Sequence, residues 1–348
     1  MSGIQDGEPI MKASKTILIL GATGGIGGEV AKAALRRGWA VRALTRHAER
    51  MASDDRGIEW IQGDAMNEAD VVAAARGVDV IVHAVNPPAY KNWALWVLPM
   101  LRNTLSAASQ AGARIVLPGT FYNYGPETFP VIAEHAPQQP RTRKGAIRVE
   151  METLLREASA QGVRSLIVRA GDYFGPKAGN NWFSQMVAAG RPLSHVMRIG
   201  KAGVGHQWGY LPDVAETMLR LLEIEDRLSD FENIHMAGHW DDTGMRMVEA
   251  VQRVVAQPVS VRAFPWWLLA VIWPFVRLLR ELHEMRYLWM RPVRLGNARL
   301  LELLGSEPHT PLEQAIQASL SGMGCLPERA GQNMRRGPAP RSGKLSSL

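Results

Sequence analysis

The sequence predicts a doubly wound parallel α/β sheet followed by a smaller, mostly helical lobe. Three observations predict it. Short apolar runs alternate with helical stretches from residue 16 to residue 168, a cluster of glycines joins the first run to the first helix, and the alternation stops after Arg169. Strands buried on both faces read as unbroken apolar runs, and strands separated by helices at this spacing pair in parallel.

Each element follows in order. Residues 16–20 are nearly all apolar and form the first strand. A helix over 29–37 stops at Gly38, a residue suited to the left-handed turn that ends helices. Strands over 39–44 and 58–61, a helix over 69–75 and a fourth strand over 78–82 come next. A long helix over 91–110 with Gly112 as its stop, a fifth strand over 114–117, a helix over 147–160 and a sixth strand over 164–168 complete the alternation. Beyond it lie loops rich in Gly, Pro and Asn at 171–181 and 199–209, helices over 214–222, 245–255 and 311–320, and a strand near 234–236. The division expected is a flexible N-terminus (1–14), a sheet domain (15–170), a lobe interleaved with the sheet (171–326) and a disordered tail (327–348).

Composition narrows the function classes. With 46% hydrophobic and 21% charged residues the chain is globular. Of the net charge of +7, five charges come from Arg329, Arg335, Arg336, Arg341 and Lys344 in the tail, which leaves the body near neutral and argues against a nucleic-acid partner. Cys325 is the only cysteine, so an intramolecular disulfide and a metal–thiolate cluster are excluded, no metal is expected, and a reducing cytoplasm fits. The first ten residues carry Asp6 and Glu8 and no apolar core, unlike a signal peptide. The apolar stretch 264–279 is broken by Pro274 and is shorter than the ~20 residues of a spanning helix. It reads as a buried or substrate-covering helix, with a weak membrane-surface contact over 264–280 as the alternative.

The glycine cluster carries the chemistry. Gly21, Gly24 and Gly27, with Thr23, Gly25 and Ile26 between them, stand between a buried strand and a helix. At this spacing the first glycine permits a tight turn, the second lets backbone N–H groups approach a pyrophosphate, and the third lets helix and strand pack closely. The helix N-terminus adds a positive field for phosphate. This is the fingerprint of a dinucleotide site in a Rossmann sheet. At the end of the second strand stands Arg46, where a carboxylate would bind ribose hydroxyls and a guanidinium suits a 2′-phosphate, so the expected cofactor is NADP, with NAD still open. Asp64 and Ala65 after the third strand are placed to contact adenine, and Ala84 and Val85 after the fourth to pass the ribose. His83 reads as a packed core residue.

Together with Asn103, Thr104, Thr120 through Gly125, Arg169, Gly175, Pro176, Tyr210, Asp213 and Ala215, these residues resemble the extended short-chain dehydrogenase/reductase superfamily, in its NAD-dependent epimerase/dehydratase branch, over about residues 15–260. The resemblance implies a catalytic hydroxyl after the fifth strand, which falls on Thr120, and a Tyr-x-x-x-Lys pair opening the next helix. That pair is absent: no tyrosine occurs between Tyr124 and Tyr173. Anchored on residues 152–155, the family pattern places Lys144 in the tyrosine slot and Arg148 in the lysine slot, one helical turn apart, where the guanidinium would lower the ammonium pKa. Tyr122 or Tyr173 are the other proton donors at strand ends. Asn123, Tyr173, Asn181 and Tyr210 are the expected substrate contacts, in segments that also hold Asn180, Trp182, His206 and Trp208. The reading is an NADP-dependent oxidoreductase or epimerase-like enzyme for a small carbonyl or alcohol. Trp266, Trp267, Trp273, Tyr287 and Trp289 would cap an apolar substrate, a surface less suited to a charged sugar nucleotide. The alternative is a catalytically silent NADP(H)-sensing protein, and a homodimer stays open.

Overall fold

The computed structural model describes residues 14–326 except 55, 87–92, 178, 180, 256 and 268–283. The apolar runs become strands: β1 (Thr16–Leu20), β2 (Ala40–Thr45), β3 (Ile58–Gln62), β4 (Val80–His83) and β5 (Arg114–Gly119) alternate with α1 (Gly25–Arg36), α2 (Glu68–Ala74) and α3 (Trp93–Ala111). The short β6 (Val131–Ile132), α4 (Arg143–Ser159) and β7 (Ser165–Arg169) follow. Next come β8 (Asp172–Phe174), α5 (Trp182–Met186), β9 (His195–Arg198), β10 (His206–Tyr210) and α6 (Leu211–Glu223). The chain then runs through β11 (Phe231–His235), β12 (His239–Asp241), α7 (Arg246–Val254), β13 (Ser260–Ala263), β14 (Arg294–Leu295), α8 (Ala298–Leu304) and α9 (Leu312–Gly322).

Seven strands form one all-parallel sheet in the order β11-β7-β5-β4-β1-β2-β3. The chain leaves β1 towards β2 and β3 and returns to β4 on its other side, so the order reverses between β1 and β4, where open α/β sheets open a crevice for ligands. The residues of β1, β4, β5 and β7 are almost entirely buried because helices cover both faces. One face packs on α1 and α6 through Val30, Ala31, Ala34, Val214 and Met218. The other packs on α2, α3 and α4 through Val71, Leu101 and Leu155.

Beyond Arg169 the structure differs in detail from the sequence expectation. The strand anticipated near 234–236 spans Phe231–His235 and pairs with β7 as the edge strand of the main sheet. The stretches 171–181 and 199–209, expected as loops, contain β8 and β10, which pair with each other, and β10 pairs on its other side with β12. A side chain on Gly171 would lie 2.2 Å from the carbonyl oxygen of Gln207, so glycine is required for these two segments to meet. Two-stranded pairs, β13 with β9 and β14 with β6, complete the lobe beside its helices. Its core is aromatic, with Phe174, Trp182, Phe183, Trp208 and Trp289 all buried.

Candidate functional site: a dinucleotide cradle and a polar cluster beside it

Gly21 takes φ +98°, and a side chain there would meet the carbonyl of Ala84 at 2.6 Å. A side chain on Gly27 would stand 2.2 Å from the carbonyl oxygen of Gly21, so the start of α1 rests directly on the turn. Gly24 is different. Its backbone (φ −82°, ψ 177°) suits any residue, it is exposed, and an added Cβ would meet only Gly21 O at 3.2 Å. The first intrahelical bond runs from Gly28 N to Gly24 O, so the N–H groups of Gly25, Ile26 and Gly27 point out of the helix end. That end has no side-chain cap and no acidic residue in its first turn. The cradle therefore fits a pyrophosphate: donors are presented at an uncapped helix end, and Gly24 leaves that end exposed.

Arg46 follows β2 with an exposed side chain, and the Gln62 side-chain amide holds the turn by donating to Arg46 O at 2.8 Å and accepting from Ala48 N at 2.9 Å. Asp64 closes a turn by accepting from Met66 N at 3.0 Å, and Asn103 of α3 donates to Ala65 O at 2.9 Å. Gln62 and Asn103 thus fix the two loops that follow β2 and β3. Ala84 N donates to Leu20 O, and Val85 packs against the neighbouring core. His83 is buried, bonded through Nδ1 to Thr104 Oγ1 at 2.8 Å, and burial pushes it down to about 3, so it is a neutral core group.

At the end of β5 three successive carbonyls are each held by a side chain from a different element. Arg148 of α4 donates to Pro118 O at 3.0 Å, Tyr173 of β8 to Gly119 O at 2.5 Å, and Arg169 of β7 to Thr120 O at 2.5 Å. Arg148 also lies 5.5 Å from the Trp93 ring centroid. Burial raises the Tyr173 hydroxyl well above the ordinary tyrosine value despite the nearby arginines. Arg169 is fully buried and paired with Glu152 at 2.7 Å, and Coulombic attraction to Glu152 raises the guanidinium in spite of desolvation.

The predicted catalytic residues converge here. Thr120 Oγ1 is buried and accepts from Tyr122 N at 3.4 Å. A side chain on Gly145 would meet Tyr122 O at 2.2 Å, so this glycine, between Lys144 and Arg148, brings the start of α4 onto the loop. Lys144 is half-buried in that first turn. Tyr122 Oη donates to Asp172 Oδ1 at 2.5 Å, and Asp172 Oδ2 meets His206 Nε2 at 2.8 Å.

The expected substrate contacts separate. Tyr173 joins the cluster. Asn123 is fully buried and gives its amide protons to Gln138 and Glu152 in the Arg169 network. Asn181 caps α5 by accepting from Ser184 N at 2.8 Å. Tyr210 is buried against Phe174, with its hydroxyl pushed up to about 12 by burial. Asn180 and Trp273 lie outside the described residues. Trp266 donates to Ile199 O at 2.7 Å and packs on Trp182, Trp289 stacks on His206, and Trp267 stands exposed. No helix of the described residues is long and apolar enough to cross a membrane, and among the described residues no cluster of metal-ligating side chains occurs. Asp172 and His206 acquire their partners only through folding. Their sole sequence signal is position: each sits at a break in the apolar pattern, beside a segment the resemblance places at the substrate.

Comparison with known proteins agrees with the cradle. The model for the NAD(P)H-binding family matches residues 21–186. The chain carries an NAD(P)-binding Rossmann domain. An uncharacterized protein of Sinorhizobium fredii is 27% identical to it over 287 residues, covering 75% of this chain and 78% of that one. A 3-diazoavenalumate denitrifying reductase of a Streptomyces species is 29% identical over 178 residues, covering 47% and 58%. The enzyme WbmH of Bordetella bronchiseptica, solved with NAD+, superposes with a TM-score of 0.67 at 18% identity over 89% of this chain and 98% of its own. The UDP-glucose 4-epimerase of Bifidobacterium longum, solved with NAD+ and UDP, gives 0.68 at 14% identity over 88% and 98%. The NAD(P)-binding domain thus has the fold of the NAD-dependent epimerases, as its sequence resemblance implies.

Proposed function

We propose that this protein is an NADP(H)-dependent oxidoreductase or epimerase-like enzyme acting on a small carbonyl or alcohol. The observation that carries the reading is the glycine cradle with Arg46 after the next strand: the N-terminus of α1 is uncapped, free of acidic residues in its first turn and opened by the exposed Gly24, and Arg46 is an exposed guanidinium at the end of β2. When bound, the nicotinamide supplies or accepts the hydride. The chain holds the phosphates on the α1 N-terminus, with Arg46 on the 2′-phosphate and Asp64, Ala65, Ala84 and Val85 along the adenosine. Thr120 and Tyr122 supply hydroxyls at the end of β5 for the substrate oxygen, and Tyr122 is the proton donor. Arg148 positions that strand end, and Lys144 lies beside the loop as a second proton source. The reductase relative supports redox chemistry, and the aromatic lobe supports an apolar substrate.

The test has two steps. Isothermal titration with NADPH and NADH should show tighter binding of NADPH. A panel of aliphatic and aromatic aldehydes and ketones should then consume the absorbance of NADPH with at least one member. Equal affinities would remove the role of Arg46, and NADPH binding without turnover across the panel would support cofactor sensing instead.

A further inference from the structure

The chain from Tyr122 through Asp172 to His206 joins the candidate site to the interior of the lobe. Its members come from the loop after β5, from β8 and from β10, 50 and 34 residues apart in sequence. Asp172 and His206 are almost fully buried, whereas Tyr122 is only half-buried and forms the end nearest the site. His206 is held on three sides by rings: Trp289 stacks on it at 3.7 Å and 16°, and Phe121 and Trp208 meet it edge-on at 5.5 and 5.4 Å. Its Nδ1 faces the carbonyl oxygen of Leu288 at 3.3 Å, and a carbonyl only accepts, so Nδ1 keeps its hydrogen. The proton that can leave is therefore the one on Nε2, which points at Asp172.

We propose that Asp172 and His206 are positioning and proton-relay residues for Tyr122, a role that rests on the reading of Tyr122 as the proton donor. In the reducing direction the substrate carbon gains a hydride from the reduced nicotinamide, and the C=O π pair moves to oxygen. That oxygen takes the Tyr122 proton, Tyr122 is resupplied through the Asp172 carboxylate, and the imidazolium of His206 gives up its Nε2 proton. The neutral Nδ1–H ring remains bonded to Leu288 O, and one proton is taken up per turnover to restore the imidazolium. The net reaction is carbonyl plus NADPH plus one proton to alcohol plus NADP+, and oxidation runs the same path in reverse. The alternative role for the chain is a purely structural clasp between the lobe and the sheet domain.

The experiment compares wild type with Tyr122→Phe, Asp172→Asn and His206→Gln, each first checked for unchanged NADPH affinity. Asp172→Asn keeps shape and hydrogen bonding, so it rescues a clasp but not a relay. The first readout needs no substrate. Protein labelled with ¹³C at tyrosine Cζ and ¹⁵N in histidine is titrated by NMR with NADP+ bound, and Tyr122→Phe and His206→Gln assign the two resonances. In wild type the Tyr122 and His206 signals should respond together to each protonation step, as coupled sites do, and in Asp172→Asn they should respond separately. Among the described residues Tyr173 and Tyr287 also feel the Asp172 charge, while the rings around His206 carry none, so assignment by variant is required. The second readout is turnover of whichever panel carbonyl is reduced: Asp172→Asn and His206→Gln should lower kcat by about tenfold to a hundredfold with KM little changed. Independent titration of Tyr122 and His206 in wild type, or full kcat in Asp172→Asn, would overturn the relay. A panel without turnover would count against the enzymatic reading, and the NMR result would still decide the coupling.

Discussion

Gly24 and Gly27 make opposite predictions from one type of substitution. In Gly27→Ala the new methyl would lie 2.2 Å from Gly21 O and 2.7 Å from Gly21 C, both backbone atoms at the base of the turn. Relief requires α1 to lift from β1, an overpacking strain of about 1–3 kcal/mol or more. In Gly24→Ala the methyl meets only Gly21 O at 3.2 Å, on a backbone that alanine adopts freely, so stability should fall by no more than about 1 kcal/mol. On the proposed reading that methyl occupies the space a pyrophosphate would enter. Losing one or two charge-assisted N–H bonds, at about 1.5–3 kcal/mol each, weakens dinucleotide binding by roughly tenfold to twenty-thousandfold. Thermal unfolding and calorimetric titration with NADPH separate the two effects. Gly27→Ala should lose stability first and binding with it, and Gly24→Ala should lose binding at nearly wild-type stability. A Gly24→Ala protein that binds NADPH and NADH as wild type does would refute the assignment of the cradle.

Three further outcomes follow from the same geometry. Arg46→Ala should weaken NADPH by about tenfold while leaving NADH unchanged, and the difference should shrink in high salt, as titrations at two ionic strengths would show. Glu152→Gln strands the fully buried Arg169 and should cost about 3–5 kcal/mol in urea unfolding, whereas Glu150→Gln, which removes an exposed contact to Arg102 at 3.9 Å, should cost almost nothing. His83 is depressed to about 3 and His239 to about 4, in each case chiefly by burial, from an ordinary value of 6.5. The unfolded chain therefore binds the extra protons first, so this stability is complete above about pH 6.5 and is lost as pH falls towards the folded values. Between pH 7 and pH 5 His83→Asn should lose about 2 kcal/mol less than wild type, and an identical loss in the two proteins would refute the buried neutral state.

The sheet and its glycine loop were legible because their physics is local. An apolar run buried on both faces, a turn that tolerates only glycine and a helix start lie within about twenty residues, and no distant partner alters what they do. The places of Arg46 and Asp64, each just beyond a strand end, were legible for the same reason. The lobe was not. β8 and β10 are short, carry no regular alternation, and exist because Gly171 lets their chains touch. Asn123 looks like a substrate contact in sequence, yet folding directs its amide protons to Gln138 and Glu152. The sequence by itself determined the parallel sheet and the dinucleotide cradle, since both follow from neighbours along the chain. Only the tertiary structure decided that Pro118, Gly119 and Thr120 are held by Arg148, Tyr173 and Arg169, and that Tyr122 meets Asp172 and His206, because hydrogen bonds between residues 30 to 54 positions apart are fixed by packing and not by sequence pattern.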